Sequence, residues 1–266
     1  MPAPTPYWTK NPDLKKLKAD LSWNFPEQKR GTIKIVGGNS ASFATEVKIA
    51  EYLNQTFPFL ENINNLFPDV LKPKLPPLPS LEFYASTDSG SFADTPEFRR
   101  GLDGSDFSLI LGDLSKNSIT LVALAEMIKT TPGLPLLVTR DAIDLLTAEA
   151  ETLISHDPLY LVASLASLQK LFRALYYPRP LLLSEPLLPV VETLHKFTLS
   201  YPTAILTFHE GKILCANHGQ VASVDLEKTS YSPLTLWDGT LAARLATFAM
   251  FNKNQELENM LASIVL

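Results

Sequence analysis

The sequence predicts an α/β domain, with a mostly parallel central sheet covered by helices on both faces and an antiparallel portion toward the carboxyl end. Three observations carry this. Short apolar runs alternate with helix-length segments through the first half of the chain. Those runs are apolar at nearly every position, as strands buried on both faces are. In the last third, two β-rich runs flank a tight turn instead.

The elements follow in order. Thr32-Ile33-Lys34-Ile35-Val36 is a β-branched run that ends at Gly37-Gly38-Asn39-Ser40, and Phe43, Val47, Ala50 and Leu53 then recur at helical spacing. This predicts a strand, a tight turn and a helix. Phe57 to Ser80 holds six prolines and little periodicity, so it is expected to be a connector lying along the surface of a single core. Strand-like residues resume at Leu81-Glu82-Phe83-Tyr84-Ala85. A strand at Phe107 to Leu111, a helix from about Ser118 to Thr130 and a strand at Leu134 to Thr139 come next. Helix-length segments separate the strands at 32–36, 107–111 and 134–139, so these should pair in parallel within one sheet. Ala204 to Phe208 and Lys212 to Ala216 flank His209-Glu210-Gly211 and read as a hairpin, followed by a strand around Gln220 to Val224. No internal repeat or low-complexity tract is present. Residues 1–30 are expected to be an extension packed on one domain spanning 31–266.

Composition excludes several classes. Over 266 residues the chain is 45% hydrophobic and 19% charged, which is globular rather than disordered. Its net charge of -5 argues against nucleic acid as a partner, because phosphate neutralisation needs clustered Lys and Arg. Lys15-Lys16-Leu17-Lys18 reads as a solvated helix face. The single cysteine, Cys215, rules out an internal disulfide and fits a reducing compartment. Met1 to Trp8 lacks the apolar stretch of a signal peptide, and the apolar run Leu159 to Val191 is interrupted by Gln169, Lys170, Arg173, Arg179 and Glu185. A soluble cytoplasmic protein with no membrane span is expected. Surplus leucines at 181–183 and 187–188, beside Pro178 and Pro180, predict a homo-oligomer.

The most informative stretch is Leu236-Trp237-Asp238-Gly239-Thr240, a turn with a carboxylate that feeds a small-residue helix, Leu241 to Ala249. Gly239 lets backbone approach a ligand, first-turn N-H groups are unpaired, and Asp238 stands beside them. An anion and a general base fit that corner, and so does a plain Asp cap on a buried helix. Gly37-Gly38-Asn39-Ser40 either positions a ligand or is ordinary strand-to-helix wiring. The loop Asp88-Ser89-Gly90-Ser91 follows a strand, where α/β proteins place substrate contacts, although inert surface loops look alike. Asp141 and Asp144 suggest metal ligands, but Asp141 reads better as the cap of a helix beginning at Ala142. His156, His195, His209 and His218 show no metal spacing, His209 reads as a surface turn residue, and Cys215 reads as an inert core thiol. No Gly-x-Ser-x-Gly elbow or Walker loop occurs.

Taken in order, several of these segments resemble the ribokinase-like fold and, within it, the ADP- or ATP-dependent NAD(P)H-hydrate dehydratases, the YjeF carbohydrate-kinase-related family. Lys34 to Ser40 is similar to the family's opening strand and Gly-Gly-Ser turn. Leu81 to Ala85 with Asp88 to Phe92 is similar to its Pro-Glu-Leu-Met-Val strand and Gly-Ser loop. Asp106 to Asp113 resembles its Asp-Ala-Leu-Val-Ile-Gly-Pro-Gly segment, and Leu137 to Leu146 its Val-Leu-Asp-Ala-Asp-Ala-Leu-Asn-Leu-Leu segment. The resemblance covers roughly residues 30 to 255 and implies a three-layer α/β/α fold. It implies ADP or ATP with Mg2+, phosphates near Gly239 and Thr240, and Trp237 stacked against the ligand or crowding it. It makes Asp238 the catalytic base, with Gly38, Asn39, Ser40, Ser89 and Gly90 against the substrate, a hydrated NAD(P)H. The chain departs from the family at three places. The Gly-Thr-Gly-Asp loop has become Leu236-Trp237-Asp238, the Thr-Pro-His-Pro-Gly-Glu motif is missing near Leu161 to Ala166, and a Lys-Gly pair is missing near Thr207-Phe208. A degenerate homologue that binds a nucleotide or a protein partner without catalysis, and a sugar or vitamin kinase, are the alternatives.

Overall fold

A computed structural model describes residues 6–229 and 231–265, together with the backbone but not the side chains of residues 235 and 236. Met1 to Thr5 of the amino-terminal reading above lie outside these. The described chain forms one ten-stranded sheet between two helical layers, in agreement with the α/β expectation. The strands are β1 (Trp8–Lys10), β2 (Thr32–Gly37), β3 (Asn62–Pro68), β4 (Leu81–Tyr84), β5 (Phe107–Gly112), β6 (Leu136–Thr139), β7 (Leu159–Val162), β8 (Thr203–His209), β9 (Lys212–Asn217) and β10 (Gln220–Asp225). Their order across the sheet is β1-β10-β9-β8-β7-β6-β5-β2-β3-β4, and only β9 runs against its neighbours.

The apolar runs become central strands because they can be buried on both faces. Every residue of β5, β6 and β7 is buried. Successive side chains alternate between two cores. Val36, Ile110, Val138, Leu161 and Ile205 pack with α4 (Ser118–Thr130), α5 (Asp141–Leu146), α7 (Leu165–Ala174) and α8 (Leu187–Ser200). Ile35, Leu109, Leu111, Leu137 and Leu206 face α2 (Ala44–Thr56), α10 (Thr240–Phe251) and α11 (Glu256–Ser263). The elements α1 (Leu14–Ser22), α3 (Pro96–Arg99), α6 (Ala150–Ile154) and α9 (Thr235–Asp238) complete the helices. No helix among the described residues is long and apolar enough to cross a membrane.

The expected parallel pairing of the strands at 32–36, 107–111 and 134–139 holds, since β2, β5 and β6 are adjacent and parallel. The hairpin holds as well. Glu210 and Gly211 both have positive φ, as do His218 and Gly219 in the next turn, which is what two-residue hairpin loops require. His209 is the last residue of β8 rather than a turn residue, with its Nε2 2.8 Å from the Glu185 carbonyl oxygen.

The connector expected over Phe57 to Ser80 is corrected by the structure. It contains β3, inserted between β2 and β4. Three asparagines hid this strand. Asn62, Asn64 and Asn65 break the apolar run, yet Leu66 and Phe67 are completely buried. Phe67→Ala should therefore cost about 3–5 kcal/mol of stability, the usual loss for emptying a packed aromatic site. Urea unfolding will read it, and a loss under 1 kcal/mol would mean that β3 is not part of the core.

Candidate functional site

The order of the strands sets the position of the site. After β2 the chain moves outward to β3 and β4, then crosses back to β5 and continues the other way through β6, β7 and β8. The strand order therefore reverses between β2 and β5. In open α/β sheets ligands bind outside the carboxyl ends of the strands at such a reversal.

Five residues expected to face substrate meet there. Asn39 accepts hydrogen bonds from the N-H groups of Ala41 and Ser42 at 2.8 and 3.2 Å, which closes the turn after β2, and its amide donates to the Asp113 carbonyl. Gly38 donates to the Gly112 carbonyl at 3.0 Å. Ser40 N-H donates to the Gly90 carbonyl at 2.8 Å. A Cβ on Gly90 would lie 2.4 Å from the Ser40 side chain, so only glycine lets these two loops touch. The Ser89 hydroxyl lies 2.9 Å from that of Thr87 and accepts from Asn117 Nδ2 at 2.7 Å. Thr87 and Asn117 were not singled out in the sequence. Asn117 also caps α4 through Ile119 N-H, an ordinary helix start that hides its second contact.

Beside this crevice lies a group that sequence reasoning missed. Arg140 and Asp113 form a two-bond ion pair at 3.0 and 3.3 Å, with side chains only 10% and 14% exposed. Both residues have positive φ, 57° and 51°, at the ends of neighbouring strands. Strained non-glycine backbone of this kind concentrates at ligand sites. The cap expected of Asp141 is corrected by the structure. The α5 helix begins at Asp141 itself, and its carboxylate accepts from Asp113 and Leu114 N-H at 2.9 and 3.2 Å, so it holds the loop after β5. Asp144 pairs with Lys170 at 2.5 Å. Cys215 is fully buried, and burial pushes its thiol well above the usual range.

Glu46, on the first turn of α2, is completely buried, and neither carboxylate oxygen has a hydrogen-bond partner. Its Oε1 sits 2.4 Å from where a Cβ on Gly37 would be. Burial, with the Asp113 charge acting in the same direction, pushes its carboxyl up to about 8. The signal in the sequence was an acid three residues after Phe43 on the apolar helix stripe.

The corner at residues 237–240 is built differently from a bare turn. Asp238 ends α9, is exposed, and accepts both the Thr240 N-H at 2.8 Å and the Thr240 hydroxyl at 2.6 Å. Gly239 follows with φ of 79°, and a Cβ there would press on Leu111 and Ile49 at 3.1 and 3.2 Å. That glycine is thus explained by packing of α10 onto β5 and α2. Trp237 is 54% exposed and, with Arg140, Val162, Ser164 and Ser167, lines a cavity of about 10 Å³. No carboxylate lines this cavity, and no group of three or more His, Cys, Asp or Glu side chains able to hold a metal occurs among the described residues.

No family model matches the chain, and no curated protein does. Solved structures do. The hypothetical protein SMU.573 of Streptococcus mutans superposes with a TM-score of 0.67 at 13% identity, over 96% of this chain and 87% of its own. EF1790 of Enterococcus faecalis V583, a ribokinase-like superfamily protein, gives 0.66 at 12% identity over 99% and 87%. Bacillus subtilis pyridoxal kinase, solved as an ADP complex, gives 0.51 at 12% identity over 89% of each chain. Identities this low speak for the fold alone, and the fold is ribokinase-like.

Glu46 yields a pH prediction. A carboxyl raised from 4.5 to about 8 in the folded state favours folding while protonated; this contribution is complete below about 4.5 and is lost as pH rises to about 8. Glu46→Gln cannot ionise. It should match the parent near pH 4.5, gain on it by up to about 1.4 kcal/mol per pH unit, and level off above 8. Urea unfolding across this range checks it, and parallel profiles for the two proteins would refute it.

Proposed function

We propose that this chain binds ADP, ATP or a related phosphorylated small molecule in the crevice beyond β2, β5, β6 and β7, and has lost catalysis. The supporting observation is Asp238, whose carboxylate is tied to both donors of Thr240. A base must reach the proton it removes, and a phosphate at α10 needs first-turn N-H groups; here the Thr240 N-H is already used by Asp238. Trp237 crowds the adjoining space. The ADP complex of a pyridoxal kinase with this fold supports a nucleotide as ligand.

The second reading is an active enzyme, either an NAD(P)H-hydrate dehydratase or a small-molecule kinase. The observation in its favour is the meeting of Asn39, Ser40, Ser89 and Gly90, which leaves a polar wall for an acceptor hydroxyl. A homo-oligomer belongs to the proposal too: Leu182, Leu183 and Leu188 are 45%, 53% and 49% exposed.

Calorimetry with ADP and ATP, paired with an assay of ADP- or ATP-dependent repair of hydrated NADH, separates the readings. The expected result is nucleotide binding without turnover, unchanged in Asp238→Asn. Turnover that falls by roughly two to four orders of magnitude in Asp238→Asn would restore the catalytic reading. Absence of nucleotide binding by the parent protein would end both.

A further inference from the structure

Beside the crevice, where the loop after β5 meets α4 and α5, the chain leaves an open cavity of about 460 Å³ that Lys170 of α7 also lines. That volume is ample for a small molecule. Its apolar wall is Leu114, Leu121 and Leu145, all three packed against the core, with the exposed Ala148 beside them. Such a wall favours an apolar body over water. The charges that line it are unequally matched. Asp144 pairs with Lys170 at 2.5 Å, and the two Asp141 oxygens accept from the Asp113 and Leu114 N-H groups. Lys116 lines the same cavity, and its ammonium has no ion-pair or hydrogen-bond partner among the described residues. The unmatched lining charge is therefore positive. Ser118 contributes a hydroxyl at the start of α4, and Leu121 stands three residues further on the same helix, so polar and apolar groups share one face of it.

We infer that this cavity binds a small organic monocarboxylate with an apolar body, its carboxylate at Lys116 and Ser118 and its body against Leu114, Leu121 and Leu145. A single unpaired ammonium matches a single negative charge. A phosphate dianion would bring a second charge toward Asp141 and Asp144, and a neutral ligand would leave Lys116 without a counter-ion. The site stands apart from the one proposed for a phosphorylated ligand, because its lining includes none of Asn39, Ser40, Ser89 and Gly90. Asn117 alone touches both. It lines the cavity, while its amide donates to the Thr87 and Ser89 hydroxyls of the crevice.

The test is a ligand-detected NMR titration of the full chain with hydrocinnamate and with its neutral amide, repeated in the presence of ADP. Hydrocinnamate is expected to bind with a Kd on the order of a millimolar or tighter, and the amide severalfold more weakly. Lys116→Met keeps the apolar stem and removes the charge, so it should lower the affinity for hydrocinnamate to that for the amide and leave the amide unchanged. Ala148→Trp fills the cavity and should abolish binding of both. Lys116 and Ala148 are exposed, so both variants should fold. ADP should leave the affinity for hydrocinnamate unchanged. Absence of hydrocinnamate binding, equal affinities for acid and amide, or binding that is indifferent to Lys116→Met or Ala148→Trp would overturn the site. Displacement of hydrocinnamate by ADP would give the cavity to the nucleotide and overturn it as well. If ADP fails to bind, the nucleotide reading falls, and the preference for acid over amide still decides this one.

Discussion

The pairing of β2 with β5 is the constraint on which the carboxyl edge of this protein depends. Chain direction across the sheet reverses at this pair, so no crossover helix covers the gap above it from both sides, and backbone groups of two strands open there together. Gly37 and Gly112 sit opposite one another at a shift in register. From that opening the turn after β2, the loop at 86–92 and the loop after β5 all gain their positions. Asn39 reaches Asp113, Ser40 reaches Gly90, and Asp141 fastens the loop from the far side.

The electrostatics of this edge are organised around one cation among several acids. Asp113 and Asp141 lie close to Arg140, and Glu46 is buried near all three. The Asp113 carboxylate accepts from the guanidinium and the Asp141 carboxylate from two backbone N-H groups. Glu46 has no such donor, and burial with the neighbouring Asp113 pushes its carboxyl up to about 8, so it keeps its proton at neutral pH.

Much of the fold was legible because central parallel strands leave a simple trace. Val36, Ile110 and Val138 stand in runs apolar at nearly every position, and the helix expected from about Ser118 to Thr130 is α4. The trace fails where polar residues serve a strand beside the edge: Asn64 in β3 donates to Glu82 in β4 rather than marking a loop. Within the site, loops rich in Gly, Asn and Ser were visible as such, since turn chemistry is local. Arg140 and Glu46 were not. Their roles depend on strands and helices that are distant in sequence: Arg140, a lone charge after an apolar run, looks like a solvated end, and Glu46 is marked only by its place on an apolar helix stripe. Asp238 shows the converse. Its dipeptide spacing to Thr240 supports both a cap and a base, and only the geometry reveals which donors it holds.

At the other side of the molecule, β1 lies parallel to β10 as the outermost strand, with the Trp8 indole donating to the Ser223 hydroxyl at 3.0 Å. A six-residue strand with a row of open N-H and C=O groups is a template for pairing with other chains. Three residues from the amino-terminal segment occupy much of that template. They are short, and two of them are exposed, so they present little further edge of their own. Residues 8–10 thus act as a guard strand at this edge, the one opposite β4.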